Sequence, residues 1–419
     1  MRRTGVDSSL DAVFREEHGR LLATLVRRYG DLDLAEDVAS DAIEAALVHW
    51  PVDGVPKAPG AWLLTTARRR AVDRLRRDST YASKLALLHV DRDRAEYSSP
   101  PDVADAEFPD DRLQMFFTCA HPALGPDDRV ALTLRCLAGF TTHEVARAFL
   151  VTSTTAGQRI TRAKKKIRDA RIPFRVPGVD ELPHRLPGVL QVVYSIFTEG
   201  YAASTGDDLM RTDLADEAIR LGRILRALLP SQRETTGLLA LMLLTHARRA
   251  ARTGPGGAIE MLEEQDRTLW DQAMIDEGTA LVVEALSGDT PGQYAVQAAI
   301  AALHGEARTP DDVDWPQIVA LYGVLSVVAP SPVVSLGRAV AVAMRDGPEV
   351  GLALLDDIAD EPMLANYFPY AAARGDLLLR SGRNAEAAAE FRRALDLAGS
   401  NPERDLMRRR IIDARSAEG

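Results

Sequence analysis

The chain has 419 residues and a net charge of −10, with 46% hydrophobic and 5% aromatic residues. Such a length implies about two to four domains with buried cores, and Cys119 and Cys136, the two cysteines, exclude a disulfide framework and fit a reducing cytoplasm. The longest apolar stretch, around Leu238 to Leu244, is too short to cross a bilayer, and Met1-Arg2-Arg3 runs into Asp7 and Asp11 instead of a signal-peptide core, so a cytoplasmic chain with no membrane partner is expected.

Ala, Leu and Arg dominate and alternating β-branched runs are scarce, which points to an all-α protein. The first helix is expected from Ser9 to Tyr29, with Leu10, Val13, Phe14, Leu21, Leu25 and Val26 inward. A break at Asp31 to Asp33 offers Asp33 as N-cap for a second helix reaching Trp50. On that helix Asp37, Asp41 and Glu44 share one face, which on spacing alone reads as a solvated surface. Pro51 to Pro59 is a loop. The third helix, Ala61 to Arg77, carries Arg68, Arg69, Arg70, Arg74, Arg76 and Arg77 opposite a buried stripe of Leu64, Ala67, Ala71 and Leu75. Six arginines within ten residues, with Asp73 alone against them, make a phosphate-seeking surface.

Residues 91–111 hold eight acidic residues against Arg92 and Arg94, plus Pro100-Pro101, and read as a polar linker. Helices resume near Arg112. Thr141 and Glu144 stand at capping-box spacing before a short helix, Thr142 to Phe149. After a tight break at Leu150-Val151-Thr152 comes a longer helix with Ala156, Ile160, Ala163 and Ile167 on one face and Arg159, Arg162 and Lys166 on the other. Two helices around a tight turn, the second basic outside, form a helix-turn-helix pattern. Thr154, Thr155, Gln158, Arg159, Arg162 and Lys166 are its candidate contacts to base edges and phosphates. Gly157 is the awkward residue on that helix.

Pro173, Pro177, Pro183 and Pro187 mark the next boundary. Beyond it, ten amphipathic segments are expected, at 189–199, 208–228, 231–252, 266–287, 292–307, 315–328, 332–345, 348–359, 362–381 and 384–398, the pattern of an α-solenoid. Gly375, Leu378, Gly382, Ala387, Phe391 and Ala394 sit at tetratricopeptide spacing. Charge divides with the chain: residues 1–180 hold 28 Lys and Arg against 26 Asp and Glu, whereas 181–419 hold 23 against 35. The first part can approach nucleic acid through local basic faces, and the second is repelled by it. Cys119, His121, Cys136 and His143 match no paired-ligand spacing, so neither metal nor cofactor is expected. No nucleophile motif or phosphate loop is found, hence no catalytic residue and no enzyme. Glu199-Gly200-Tyr201 and Gly206-Asp207-Asp208 read as a helix-connecting turn before a ligand pocket.

Taken together, the first 175 residues resemble an RNA polymerase sigma factor of the extracytoplasmic-function class. Leu34-Ala35-Glu36-Asp37-Val38 with Asp41-Ala42 resembles the region 2 helix that binds the polymerase clamp. Ala61-Trp62-Leu63-Leu64 running into Arg68 and Ala71-Val72-Asp73-Arg74-Leu75-Arg76 resembles the promoter-engaging helix, and Arg129 to Lys166 resembles region 4, which reads the −35 element. The remainder resembles the subgroup with a C-terminal tetratricopeptide-type extension, as do Thr118-Cys119-Ala120-His121-Pro122, Gly139 to Arg147 and Tyr194 to Gly206. Ser40 departs from the family pattern, where Gln often precedes the acidic residue.

The resemblance implies a non-enzymatic factor with core RNA polymerase and promoter DNA as partners. It makes Asp37, Asp41 and Glu44 the polymerase contact, sends the linker into the RNA channel and gives the loop at Pro51 to Pro59 an unpaired −10 base. The implied domains are 1–80 for region 2, 81–111 for the linker, 112–175 for region 4 and 176–419 for an extension. That extension docks on the sigma domains or polymerase, or on another protein, and controls activity by bracing or masking. The rival reading is a free-standing helix-turn-helix regulator with a helical sensor domain.

Overall fold

The computed structural model describes residues 4–78, 110–149, 151–203, 206–288 and 290–416, so the acidic linker lies outside the described residues except for Asp110 and Asp111. Among the described residues every regular element is helical. The chain divides into two compact units, Met1–Val192 and Val193–Gly419.

The first unit opens with α1 (Thr4–Tyr29), α2 (Leu32–Asp53) and α3 (Pro59–Asp78). Their apolar stripes meet in a core of Leu21, Leu22, Leu25, Val38, Ala42, Ala46, Leu63 and Ala67, all buried. Aromatic rings lock the three together: Phe14 of α1 stacks on Trp50 of α2 at 5.3 Å, and Trp50 meets Trp62 of α3 edge-on at 5.4 Å. The N-cap of α2 is Asp31, not Asp33. The Asp31 carboxylate accepts from the N–H groups of Asp33 (2.8 Å) and Leu34 (3.0 Å), which releases the Asp33 side chain for other partners. The helix also continues past Trp50 through Pro51.

Four helices follow in the same unit: α4 (Arg112–Cys119), α5 (Pro126–Cys136), α6 (Thr142–Ala148) and α7 (Ser153–Asp169). They pack back onto α1 at a close approach. A Cβ on Gly19 would lie 2.8 Å from the Leu137 carbonyl oxygen, so only glycine lets α1 press against the turn after α5. Helix α8 (Leu182–Tyr201) crosses the division between the units, and its first half belongs with α4, where Arg185 donates to the Phe117 carbonyl at 2.9 Å.

In the second unit the helices are α9 (Thr212–Leu228), α10 (Arg233–His246), α11 (Gln272–Leu286), α12 (Gln293–Glu306), α13 (Trp315–Val328), α14 (Pro332–Asp346), α15 (Pro348–Asp356), α16 (Phe368–Arg380), α17 (Asn384–Leu397) and α18 (Asn401–Ser416). Each packs chiefly on its neighbours in sequence, α10 also reaching α12. In the α16–α17 hairpin Gly375 lies against the Phe391 ring, with Leu378, Ala387 and Ala394 buried around it. Several segments are shorter than the sequence pattern suggests: the helix expected at 208–228 begins at Thr212, that at 231–252 ends at His246, that at 266–287 begins at Gln272, and that at 362–381 begins at Phe368. Helix α18 was not expected. Its buried Met407, Ile411 and Ala414 recur at helical spacing, diluted by surrounding arginines.

Two glycines in helices test this packing. Gly323 in α13 faces open space, whereas a Cβ on Gly200 in α8 would lie 2.4 Å from the Ala215 backbone nitrogen. Gly323→Ala is expected to stabilise by about 0.5–1 kcal/mol through helix propensity. Gly200→Ala is expected to destabilise by about 1–3 kcal/mol through overpacking. Urea unfolding midpoints measure both, and shifts of the same sign would contradict the α8–α9 packing.

Candidate nucleic-acid interface

The two-helix motif is built as its residues dictate. Thr141 and Glu144 form a reciprocal capping box, Glu144 N–H to Thr141 Oγ1 at 3.1 Å and Thr141 N–H to Glu144 Oε2 at 2.7 Å, which fixes the start of α6. Thr152 caps α7 by accepting from the Thr155 N–H at 3.1 Å. Ala156, Ile160 and Ala163 are buried, which turns Thr154, Gln158, Arg162 and Lys166 outward and leaves Thr155 and Arg159 half-buried. Gly157 is tolerated and not required, since a Cβ there would meet Thr142 at an ordinary 3.7 Å.

Two arginines of α7 are oriented by the acidic first turn of α5. Arg159 pairs with Asp127 at 3.1 Å, its guanidinium 5.6 Å from the Phe149 ring centroid. Arg162 forks onto the buried Asp128, Nε at 3.0 Å and Nη2 at 2.5 Å. A planar guanidinium held by one carboxylate keeps its direction, which is what reading a base edge needs. Lys166 has no acidic partner among the described residues and remains a mobile point charge suited to phosphate.

Helix α3 presents Arg69, Arg70 and Arg76 to solvent, with Arg68 and Arg74 half-buried; the side chain of Arg77 lies outside the described residues. Arg74 reaches Asp37 of α2 at 3.1 Å, so part of the acidic face is tied to the basic one. Asp41, half-buried, and Glu44, exposed, make no ion pair among the described residues. The neighbouring Leu47, Val48, Val52 and Val55 are exposed apolar residues at the end of α2 and the loop after it.

What sequence reasoning missed is Lys164. It points from α7 to α2, where its Nζ lies 3.0 Å from Asp33 Oδ1 and hydrogen-bonds Glu36. Glu36, 7% exposed, also accepts from Arg135 Nε of α5 at 3.2 Å, and Arg168 reaches Asp33 at 3.0 Å. This network joins α2 to α5 and α7. Lys164 stands at the edge of the α7 basic face, and nothing in its spacing marks it off from Lys165 and Lys166. Burial pushes Asp33 upward, yet hydrogen bonds and charge from Lys164 and Arg168 prevail and hold it below its ordinary value. Burial lowers Lys164, but Glu36 and Asp33 outweigh that and hold it above its ordinary value.

Cys119 and Cys136 are fully buried free thiols, and the hydrogen bond the Cys136 thiol shares with Cys119, together with burial, pushes Cys136 up. Among the described residues no three His, Cys, Asp or Glu side chains converge as a metal site, and no helix is long and apolar enough to cross a membrane. The segment around Gly206 serves as a connection: Arg211 N–H bonds the Gly200 carbonyl at 2.8 Å, and Asn401 N–H bonds that of Gly206 at 3.0 Å.

These features define a helix-turn-helix module packed on a separate three-helix module with adjoining acidic and basic faces. Comparison with known families agrees: residues 13–80 match Sigma-70 region 2, residues 117–167 match Sigma-70, region 4, and residues 185–286 match a family of unknown function (DUF6596). A protein of Rhizobium meliloti (strain 1021), "Uncharacterized protein R00370", is 41% identical over 403 residues, covering 96% of this chain and 95% of its own, and the chain belongs to the same family. The "Probable ECF RNA polymerase sigma factor SigI" of Mycobacterium tuberculosis is 27% identical over 198 residues, 47% of this chain and 64% of its own length. No solved structure matches. The two sigma-70 modules and the distant SigI relative support a sigma factor of the extracytoplasmic-function type.

The α2–α7 network gives two expectations. A double-mutant cycle of Lys164→Ala and Glu36→Ala should show a coupling of about 1–3 kcal/mol in unfolding free energy; additivity within about 0.5 kcal/mol would remove the pair from the account. Asp33, lowered from 3.8, contributes fully above that pH and loses its contribution as pH falls through the lowered folded value. Lys164, raised from 10.5, contributes fully below that pH and loses it as pH rises through the raised value. The network's contribution to stability should therefore be flat between about pH 5 and 9, measured as the difference in unfolding free energy between the parent and Lys164→Ala.

Proposed function

We propose that this chain binds core RNA polymerase and directs promoter-specific transcription initiation, with its C-terminal helices controlling that activity. The observation that carries the reading is the pairing, in one compact unit, of an outward helix-turn-helix face (Thr154, Gln158, Arg162 and Lys166) with a region 2 module bearing both an acidic and a basic face. Catalysis then belongs to the polymerase. Asp37, Asp41 and Glu44 meet a basic polymerase surface by charge complementarity, the arginines of α3 track phosphate near the −10 element, and α7 enters the major groove of the −35 element. The acidic second unit takes no direct part in DNA contact. It braces the arrangement in which both modules reach their elements, and its own partner is the first unit, the polymerase or another protein.

Two experiments test this. Asp37→Arg with Asp41→Arg should weaken core-polymerase affinity, mostly through the association rate because Asp37 is exposed and Asp41 only half-buried. Unchanged affinity with helicity intact by circular dichroism would reject α2 as the polymerase contact. In holoenzyme binding to promoter variants across a salt series, Arg159→Ala should discriminate among −35 sequences by about 1–3 kcal/mol. Arg76→Ala should weaken all promoters alike and reduce the salt slope by about one. Equal losses on every −35 variant would make Arg159 a phosphate contact only, and DNA binding that needs no core would favour a free-standing regulator.

A further inference from the structure

In the second unit, the turn Arg267–Leu269, the outer face of α11 and the C-terminal end of α12 border an open cavity of about 720 Å³. That volume lies within the range of about 300–1,000 Å³ typical of small-molecule sites. One wall is apolar, with Ile275, Ala280 and Val283, and Val283 is 70% exposed. Two cations, Arg267 and Arg308, line the same cavity. Arg267 spends Nη1 on the His304 and Ala307 carbonyls (2.8 and 2.7 Å), where α12 ends, and its guanidinium lies 4.5 Å from the Trp270 ring centroid.

Three contacts thus fix the plane of that guanidinium without using all of it. Nε is sealed from solvent, whereas Nη2 is not and makes no hydrogen bond among the described residues. The Nη2 N–H groups are therefore the part of the guanidinium left for a charge-assisted bond to a ligand carboxylate. Arg308, exposed and without an acidic partner among the described residues, borders the same space. Burial and the nearby Arg248 push Arg267 down, and Asp312 only partly offsets them. Asp276 and Glu306 border the cavity too. Two carboxylates there disfavour a dianion such as phosphate but accept a monoanion, and they welcome an ammonium on the same molecule.

We propose that this cavity binds a small molecule carrying one carboxylate on an apolar body, held by Nη2 of Arg267 and by Arg308. The site goes beyond the promoter reading and is tested without polymerase, so either can fail alone. Isothermal titration of the full-length chain uses phenylacetate, L-phenylalanine, methyl phenylacetate and inorganic phosphate as probes. The carboxylates should bind, with the neutral ester and phosphate weaker by about tenfold or more, since each tenfold is about 1.4 kcal/mol. Tighter binding of L-phenylalanine than of phenylacetate, lost in Asp276→Asn, would identify the natural ligand as amino-acid-like; equal binding would identify it as a simple carboxylate. Arg267→Lys keeps the charge but not the fixed plane that aims Nη2 and should lose most of the affinity. Because Arg267 also caps α12, the exposed Arg308→Ala variant serves as the second test, with an unchanged unfolding midpoint and weakened carboxylate binding. No heat from either carboxylate at concentrations on the order of 10 mM, ester or phosphate binding as tight as phenylacetate, or full affinity in Arg308→Ala would each overturn the proposal.

Discussion

A buried carboxylate must find cations, and in the first unit Glu36 finds them on the far module. Its neighbours along α2 are apolar or short, so the charges that satisfy it come from Arg135 of α5 and Lys164 of α7. Breaking such a pair leaves an uncompensated buried charge, which costs about 3–5 kcal/mol where no other partner remains. The rest of the unit accommodates this demand. Gly19 removes the side chain that would hold α1 off the turn after α5, and Gly139, at φ 74°, turns the backbone beside His18. With the inner side of α7 committed to α2 and to its own core, its outer side is free to carry Thr154, Gln158, Arg162 and Lys166.

The same network gives α2 two neighbours. Its first turns meet region 4 through Asp33 and Glu36, while Asp37 turns to α3, Asp41 is half-buried and Glu44 faces outward. One helix thereby serves as scaffold for the helix-turn-helix module and as the proposed polymerase contact. Acidic residues that look alike in the sequence do different work because successive positions on a helix point in different directions.

Much of this was legible beforehand. The all-α class followed from composition. The capping box at Thr141 and Glu144 and the inward set Ala156, Ile160 and Ala163 followed from spacing, because capping and burial on a helix are local. Asp31 and Asp33 both suit an N-cap, and only the later partners of Asp33 on α7 separate them. Lys164 was not legible for the same reason, since its partners lie more than a hundred residues away in α2. Helix α18 hid because arginines interrupt its apolar positions. The cavity at Arg267 was invisible, as the turn, α11 and the end of α12 each contribute side chains with no motif in common.

A sigma factor works through polymerase, not alone. The direct measurement is run-off transcription with core polymerase from the same organism, freed of other sigma factors, on a genomic promoter library, with and without the full-length chain. Discrete transcripts that require the chain, starting at a shared pair of spaced promoter elements, are the predicted result. Transcripts no different from core alone, with the chain still binding DNA by itself, would contradict it.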